Sequence, residues 1–414
     1  MAATLHQRSE TCRLCRSREL EPVVSLTPTP PANACVPIER VAEAQPCFPL
    51  EVSLCRACGH LQLVNVVDPA YLFSNYVYAS SAAPSMVAHL NAYAASVIER
   101  FGLADGTFVV EIGSNDGTFL RPFKNAGVRV LGVDPAKNIA ERATRSGIET
   151  LPEFFNAEIA ARIRSAHGAA DLVCANHVFA HVADMQGFVD GVRTLLAPGG
   201  VFVFEVGYLV DVYEKSTFDT IYHEHLDYHR VGPLRRLFAA NGLQMFDVER
   251  SDIQGGSIRG FVTSGGSRPG SANLDAFERY ERTIGLDVPD TYRGYADRIT
   301  RSGLELTTLL AGLKAKGKRI AGYGLPAKAT TLMYHFGLDK NTIEYVVDDA
   351  VLKVGLFSPG LHIPILAADT LYERRPDYLV VLAWNFADFI VKKHQAFSAG
   401  GGRFIVPLPN LGIR

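Results

Sequence analysis

Two groups of residues in this sequence have the types and the spacing that chemistry requires. The first is the segment YHEHLDYHR, residues 222–230, which places three histidines, two tyrosines, a glutamate and an aspartate in nine positions. An imidazole titrates near neutral pH, and a neighbouring carboxylate or hydroxyl can fix its tautomer, so the segment is suited to proton transfer. A solvated loop with incidental histidines is the alternative interpretation. The density of titratable groups favours the catalytic one.

The second group is formed by cysteines. Of the seven cysteines, six precede residue 59, and four of these form the pairs CRLC, with Cys12 and Cys15, and CRAC, with Cys55 and Cys58. Two such pairs can complete a tetrahedral Zn²⁺ site, and four thiolates leave no position for a reactive water, so the zinc is expected to be structural. Buried thiols without metal and a redox dithiol are the alternatives, but neither pair has a thioredoxin-like βαβ pattern around it.

The elements that must position these residues begin at about residue 107, where short apolar strands alternate with helical stretches. This alternation predicts an α/β fold with a mostly parallel sheet covered by helices. In TFVVEIGSNDGTFL a buried strand ends at Glu111, and Gly113 and Gly117 follow in a turn that lets a ligand approach the backbone. A second strand ends in Asp134, where a carboxylate can bridge the hydroxyls of a ribose. Asp116 within the turn would repel a pyrophosphate, so a cationic nucleoside without phosphate fits better than a dinucleotide.

That combination resembles the class I S-adenosylmethionine-dependent methyltransferases, whose first strand ends in E/D-x-G-x-G or a near variant, although Asn115 here replaces a glycine. The later segments DLVCANHVFAHVAD, LLAPGGVFVFEVG, GLQMFDVERSD and GGSIRGFVTS resemble the remaining strands of that fold, the last of which is antiparallel. The resemblance implies a seven-stranded Rossmann-like sheet that binds S-adenosylmethionine. The residues that it implies for the donor site are Glu111, Gly113, Asn115, Asp116, Gly117, Asp134, Phe154, Phe155 and Asn176. For the two phenylalanines, expected beside the adenine, core packing is an equal alternative.

Nearly the whole chain resembles a narrower family, the sugar C-methyltransferases of antibiotic deoxysugar pathways, which act on C-3′ of TDP-linked 4-keto sugars. The resemblance rests on the paired C-x-x-C motifs and on NYVYASSAAPSMVAH, ANHVFAHVAD, YHEHLDYH, GGSIRG and GYGLPAKATT. It implies that His225 removes the C-3′ proton, which the neighbouring ketone makes acidic. It further implies that Glu224 orients the site and that Tyr222 and Tyr76 bond to the ketone oxygen, while His181 positions the sugar. Core packing for Tyr76 and helix capping for His181 are the alternatives.

The carboxyl-terminal part contains a second nucleotide-binding pattern. After a polar, helical stretch from about 266 to 318, RIAGYGLPAKATTLMYHFG and IEYVVDDA predict strands of another Rossmann-like sheet. Its glycine turn is followed by a lysine, which suits a ligand that carries phosphate. The resemblance implies that this domain holds the TDP moiety. The candidate residues are Tyr323, Lys328, Thr330 and Asp348.

We therefore expect three domains: a zinc-binding domain at 1–75, a methyltransferase core at 76–270 and a carboxyl-terminal Rossmann-like domain at 271–414. A methyltransferase acting on oxygen or nitrogen remains an alternative, as does an NAD-linked nucleotide-sugar oxidoreductase, although Asp116 disfavours the latter. A zinc-bearing interaction protein with an inactive core is a further alternative.

Composition excludes several classes of partner. The net charge is −2 and lysines and arginines do not cluster, so neither nucleic acid nor an anionic membrane surface is an expected partner. The chain also lacks a signal peptide and an apolar run of the roughly 18 residues that a bilayer requires, which predicts a cytoplasmic protein. A monomer is compatible with these features.

Overall fold

The computed structural model describes residues 5–73, 79–265 and 268–414 of the chain. Tyr76, one of the predicted catalytic residues, lies outside these ranges. The strands of the described residues, in chain order, are β1 (His6–Arg8), β2 (Leu20–Thr29), β3 (Phe48–Cys55), β4 (Leu61–Leu63), β5 (Asn65–Val67), β6 (Phe108–Ile112), β7 (Arg129–Val133), β8 (Thr150–Leu151), β9 (Ala170–Asn176), β10 (Leu196–Gly207), β11 (Asp227–Tyr228), β12 (Leu243–Ser251), β13 (Ser257–Ser264), β14 (Ile320–Tyr323), β15 (Val346–Asp348), β16 (Ile365–Ala367), β17 (Tyr378–Val381), β18 (Arg403–Val406) and β19 (Gly412–Ile413).

The α-helices of the same residues are α1 (Pro69–Phe73), α2 (Pro84–Phe101), α3 (Leu120–Asn125), α4 (Lys137–Arg145), α5 (Ala157–His167), α6 (Met185–Leu195), α7 (Leu209–Glu214), α8 (Val231–Ala240), α9 (Ala272–Thr283), α10 (Pro289–Ala315), α11 (Ala327–His335), α12 (Thr370–Arg374), α13 (Ala387–Lys393) and α14 (Gln395–Ala399). Short 3₁₀ turns include Phe179–His181, Phe218–Thr220 and Trp384–Phe386. None of these described helices is long and apolar enough to span a bilayer.

The largest sheet has seven strands in the order β12-β13-β10-β9-β6-β7-β8. Strand β13 is antiparallel to both of its neighbours, whereas the strands from β10 to β8 run parallel to one another. The central strand β6, with the sequence FVVEI, is buried at every position, as expected for a parallel strand that is covered on both faces. This strand order, with its antiparallel β13, confirms the predicted class I methyltransferase fold.

The amino-terminal sheet is antiparallel and has the order β11-β4-β3-β2. Its edge strand β11 belongs to the segment YHEHLDYHR: Asp227 pairs with Gln62, and Tyr228 pairs with Leu61. The sequence does not predict this pairing, because a two-residue strand shows no alternation of apolar and polar positions. The segment with the candidate base is therefore part of the sheet that the cysteine-rich region builds.

The carboxyl-terminal sheet has six strands in the order β16-β15-β14-β17-β18-β19, parallel except for β19. It confirms the predicted second Rossmann-like sheet. The long helix α10 leads to it and buries one face through Tyr292, Tyr295, Ile299, Leu306 and Leu310, which recur at helical spacing.

Candidate active site

The four paired cysteines lie together at one end of the amino-terminal sheet. All four Sγ atoms are within 4.8 Å of one another, with Cys12 and Cys58 at 3.6 Å and Cys15 and Cys55 at 3.5 Å. Thiolates that share one tetrahedral Zn²⁺ are about 3.8 Å apart for a metal–sulfur distance of about 2.3 Å. The cluster thus fits a structural zinc ion, as the spacing of the cysteines predicts.

Residues beside these cysteines hold the segment YHEHLDYHR directly. His60, which follows the second cysteine pair, donates through Nε2 to Oδ1 of Asp227 at 2.7 Å, and Nη1 of Arg13 lies 3.8 Å from the same oxygen. Burial alone would raise the pKa of Asp227, but Arg13 and then His60 outweigh it and lower that pKa, so the carboxylate is charged. A backbone hydrogen bond of 2.8 Å from Leu63 to Leu226 extends the contact. The cysteine cluster and the segment YHEHLDYHR are therefore joined by hydrogen bonds into one unit.

His225 is the candidate base, and its two ring nitrogens have different partners. Nδ1 lies 2.8 Å from the carbonyl oxygen of Thr220, and Nε2 lies 3.0 Å from the hydroxyl of Tyr222. A carbonyl can only accept, so Nδ1 carries the proton, and the unprotonated Nε2 accepts from the Tyr222 hydroxyl. Burial lowers the pKa of His225 to about 4, so the ring is neutral at physiological pH. A half-buried imidazole with an unprotonated Nε2 can act as a general base.

Two further predicted residues lie beside His225. The His181 ring is 5.2 Å from the His225 ring and stacks on Phe73 at 5.8 Å. Burial lowers the pKa of His181 well below its usual value. Glu224 is buried and accepts a hydrogen bond of 2.9 Å from Asn33 of the amino-terminal region. The structure thus brings together Tyr222, His181 and His225, whereas the Glu224 side chain contacts the amino-terminal region.

The other histidines of the segment are packing residues. His223 is buried, with Nε2 at 3.2 Å from the carbonyl oxygen of Phe48, and buried His229 stacks on Phe179 at 5.0 Å. Burial lowers the pKa of each to about 4. Since both rings are enclosed by protein, His225 is the histidine of this segment that a substrate can reach.

The predicted donor residues meet at the carboxyl ends of β6, β7 and β9. Oε1 of Glu111 accepts from Nδ2 of Asn176 at 3.0 Å. Its other oxygen is buried and has no hydrogen-bond partner among the described residues, and burial raises the pKa of this carboxyl well above its usual value. An orphaned buried acceptor is costly unless a ligand supplies a donor. This observation fits a polar ligand at the end of β6.

The turn after β6 is built for close approach. Gly113 has φ +67°, and a Cβ there would lie 2.1 Å from Val178, so the loop after β9 packs directly on the turn. Asp134 accepts backbone hydrogen bonds of 2.9 Å from Asn115 and Ala136, one on each carboxylate oxygen. Each oxygen keeps a second lone pair, which a ribose hydroxyl can use. These features fit the nucleoside of S-adenosylmethionine.

The remaining predicted donor residues have other roles within the loop and core. Asp116 accepts from the backbone N–H of Ser81 at 3.2 Å and from the hydroxyl of Thr118 at 2.6 Å, and these bonds outweigh burial and lower its pKa. The backbone of Gly117 has φ +78° and lies against Ile148. Phe155 packs edge-on against Phe188 at 5.4 Å, whereas Phe154 is exposed. For Phe155, core packing is thus what the contacts favour.

One buried charge cluster next to this site was missed by sequence reasoning. Glu205 near the end of β10 is fully buried, and His89 and Arg259 contact its two oxygens at 2.7 and 2.9 Å. His177 lies 3.4 Å from the same carboxylate. These hydrogen bonds overcome burial and keep the Glu205 pKa far below its usual value. The sequence signal was the acidic residue in FVFEVG, a lone charge in an otherwise buried strand.

The predicted substrate residues lie in or near the carboxyl-terminal sheet, after the ends of β14 and β15. The Tyr323 hydroxyl contacts Asp349 at 2.9 Å and His394 at 2.8 Å, and Asp348 accepts from the backbone N–H of Leu325 at 2.7 Å. The Lys328 ammonium lies 3.6 Å above the indole ring of Trp384. Thr330 instead donates to the carbonyl oxygen of Ala32 at 3.0 Å, so it joins this sheet to the amino-terminal region.

Comparison with known proteins covers the whole chain. Family models match in order: a zinc binding domain at residues 12–73, a methyltransferase domain at 86–248 and a C-methyltransferase C-terminal domain at 252–409. A C-methyltransferase of Streptomyces niveus, NovU, is 41% identical over 404 residues, which are 97% of this chain and 96% of that protein.

More distant matches cover only part of the chain. A ubiquinone biosynthesis O-methyltransferase of Rhizobium etli is 27% identical over 34% of this chain and 62% of its own length. Among solved structures, the magnesium protoporphyrin IX methyltransferase of Synechocystis with bound S-adenosylmethionine is 12% identical, with a TM-score of 0.34, over 43% of this chain and 79% of that one.

The near-complete match to NovU agrees with the seven-stranded sheet, the cysteine cluster and the second Rossmann-like sheet. The predicted resemblance is therefore confirmed at the level of the family. The chain belongs to the S-adenosylmethionine-dependent C-methyltransferases that carry an amino-terminal zinc-binding domain and a C-methyltransferase carboxyl-terminal domain.

Proposed function

We propose that this enzyme methylates C-3′ of a TDP-linked 4-keto deoxysugar and that His225 is the base that starts the reaction. The observation that carries the proposal is the arrangement at His225, where Thr220 holds Nδ1 and leaves Nε2 unprotonated beside the Tyr222 hydroxyl. A carbon acid needs a base of this kind, whereas an oxygen or nitrogen nucleophile depends on it less. The site is thus suited to carbon methylation.

S-adenosylmethionine supplies an electrophilic methyl group. The substrate carbon binds this methyl group as the bond between the methyl carbon and sulfur breaks. In the step before transfer, Nε2 of His225 accepts the C-3′ proton and becomes positively charged. The electron pair of the broken C–H bond moves into the C-3′–C-4′ bond, and negative charge grows on the ketone oxygen. Tyr222 donates a hydrogen bond to that oxygen, a role that Tyr76 shares in our proposal. Most of the rate then comes from holding the carbon and the methyl group in line while water is excluded.

Buried neighbours keep His225 neutral between turnovers. In this proposal Glu224, which accepts a hydrogen bond from Asn33, orients the loop that carries His225. His181, whose own pKa is lowered by burial, remains an uncharged contact for the sugar hydroxyls.

In this proposal the carboxyl-terminal sheet binds the nucleotide part of the substrate. The support for this assignment is the polar groups at the carboxyl ends of two strands, Tyr323 at the end of β14 and Asp348 at the end of β15, together with Lys328 in the first turn of α11. In this proposal the Lys328 ammonium, which lies over the indole ring of Trp384, pairs with a phosphate of the nucleotide. In this proposal the zinc-binding domain spans residues 1–75, the donor-binding core 76–270 and the nucleotide-holding domain 271–414.

The pH dependence of turnover follows from the state of His225. Because burial lowers its pKa to about 4 from an ordinary 6.5, the neutral, active form dominates above that value. We expect log(kcat/KM) to fall with a slope of one only as the pH approaches the lowered pKa, and to be independent of this group from pH 6 to 8. Rates measured at each pH with circular dichroism as a control for folding test this. An acidic limb centred near 6.5 would mean that the imidazole is solvated instead.

A panel of TDP-linked 4-keto deoxysugars, with and without a 3-amino group, tests the substrate. We expect one or more to be methylated by purified enzyme with S-adenosylmethionine, and NMR of the product to show a new carbon–carbon bond at C-3′. A methyl group on oxygen or nitrogen would contradict carbon chemistry. Methylation of the free sugar as fast as of its nucleotide would contradict a role for the second sheet in nucleotide binding.

A further inference from the structure

The segment just before the catalytic loop is held by the carboxyl-terminal sheet region. The Phe218 ring packs on Phe336 at 4.9 Å. Thr331 of α11 donates through its hydroxyl to the carbonyl oxygen of Ile221 at 2.9 Å. Helix α11 and the residue after it therefore contact the chain at the start of the short turn Phe218–Thr220 and just after its end.

A third contact lies between these two and carries charge. Nε1 of Trp384 donates to Oδ2 of Asp219 at 2.6 Å. Asp219 is fully buried, and its Oδ1 has no hydrogen-bond partner among the described residues. The indole N–H is therefore the main hydrogen-bond donor to this buried carboxylate, and its loss would be costly. Burial raises the pKa of Asp219, and Lys328, whose ammonium lies over the face of the same indole, opposes this with an electrostatic attraction to the carboxylate.

The residue after Asp219 determines the tautomer of the candidate base. The carbonyl oxygen of Thr220 accepts from Nδ1 of His225 at 2.8 Å. If this carbonyl rotates away, Nδ1 loses its acceptor, and the proton can move to Nε2, where the ring can no longer act as the base. The position of one backbone carbonyl thus decides whether the base is competent.

We propose that Trp384 is a positioning residue for methyl transfer: through Asp219 it fixes the Thr220 carbonyl, which keeps His225 in the tautomer that accepts a proton. The inference rests on the proposed function of His225. It assigns to the carboxyl-terminal domain a part in the chemistry in addition to nucleotide binding. Trp384 is the only tryptophan of the chain, and a phenylalanine ring in its place would offer no donor to Asp219.

The variant Trp384→Phe tests this, because it removes the N–H and keeps an aromatic ring for Lys328. We expect kcat to fall about tenfold, the loss of one charge-assisted hydrogen bond, with the dissociation constant of S-adenosylmethionine unchanged. We also expect ¹⁵N NMR of labelled histidine, assigned by comparison with His225→Asn, to show only the Nδ1–H tautomer for His225 in the native enzyme and a mixture in W384F. A purely structural role would lower stability without changing the tautomer.

Asp219→Asn is the matched variant, since an amide oxygen can still accept from the indole. We expect D219N to keep the Nδ1–H tautomer and to lose less kcat than W384F, because it loses the attraction of Lys328 but keeps the hydrogen bond from the indole. Thr331→Val removes the hydrogen bond to the carbonyl oxygen of Ile221. It provides a second test if W384F does not fold, because it is also expected to loosen the neighbouring Thr220 carbonyl.

The outcomes separate this inference from the proposed function. A native tautomer and native kcat in both W384F and T331V, with turnover abolished in His225→Asn, would overturn the inference alone. An Nε2–H tautomer in the native enzyme would overturn this inference and also the observation that carries the proposed function. Native turnover in His225→Asn would overturn the proposed function and the catalytic part of this inference with it.

Discussion

The variant His225→Asn is expected to lose turnover by about a thousandfold or more while it still binds S-adenosylmethionine and the nucleotide sugar, because general bases contribute about 10²–10⁴ in rate. An asparagine amide can still donate to the Thr220 carbonyl, so the loop keeps its shape. Its oxygen is too weak a base to remove a proton from carbon. Steady-state kinetics give kcat, and calorimetry gives the two dissociation constants.

His223→Asn provides the matched control in the same loop. Its side chain is buried against Phe48 and does not contact His225 in any hydrogen bond described above. We expect H223N to lower the melting temperature while kcat stays within about tenfold of the native value, as for a packing residue. Near-native turnover in H225N, or an equal loss of kcat in folded H223N, would place the base elsewhere.

Loss of zinc is expected to abolish turnover although the metal takes no part in the reaction. Cys55→Ser removes one of four thiolates, and a structural zinc site contributes about 10–16 kcal/mol to the folding of a small domain. Without it, Arg13 and His60 no longer hold Asp227, and β4 no longer offers an edge to β11. Metal content by atomic absorption, kcat and binding of S-adenosylmethionine are the measurements.

The expected pattern is loss of zinc and of turnover with donor binding retained, since the donor residues lie on the seven-stranded sheet. Cys47→Ser is the control, because Cys47 is exposed and is not part of the metal cluster. It should keep both its zinc and its rate. A zinc-free protein that turns over at the native rate would show that the amino-terminal sheet does not position the catalytic loop.

Local signals in the sequence were enough to predict the fold and the metal ligands. The C-x-x-C pairs and the alternation of strands and helices depend on neighbours in the chain, and each had a direct counterpart in the structure. The donor turn was predicted for the same reason, because Glu111, Gly113 and Asp134 lie at the ends of consecutive strands.

Contacts between distant segments could not be predicted in this way. Nothing local to Asp227 indicates that it binds His60, 167 residues away, and nothing local to Trp384 indicates a bond to Asp219, 165 residues away. Thr330 shows the same limit: it follows a phosphate-binding pattern, yet its hydroxyl joins Ala32. Such pairings are decided by the packing of whole domains and appear only in three dimensions.

Exchange of solvent deuterium into the substrate tests the central claim most directly. With S-adenosylhomocysteine in place of the donor, the proton can be removed but no methyl group can be transferred. In D₂O we predict that the native enzyme places deuterium at C-3′ of the TDP-linked 4-keto sugar, because half-buried His225 exchanges its proton with water, and that H225N does not. Wash-in by H225N at the native rate, or methylation by the native enzyme of a substrate that shows no wash-in, would contradict the account.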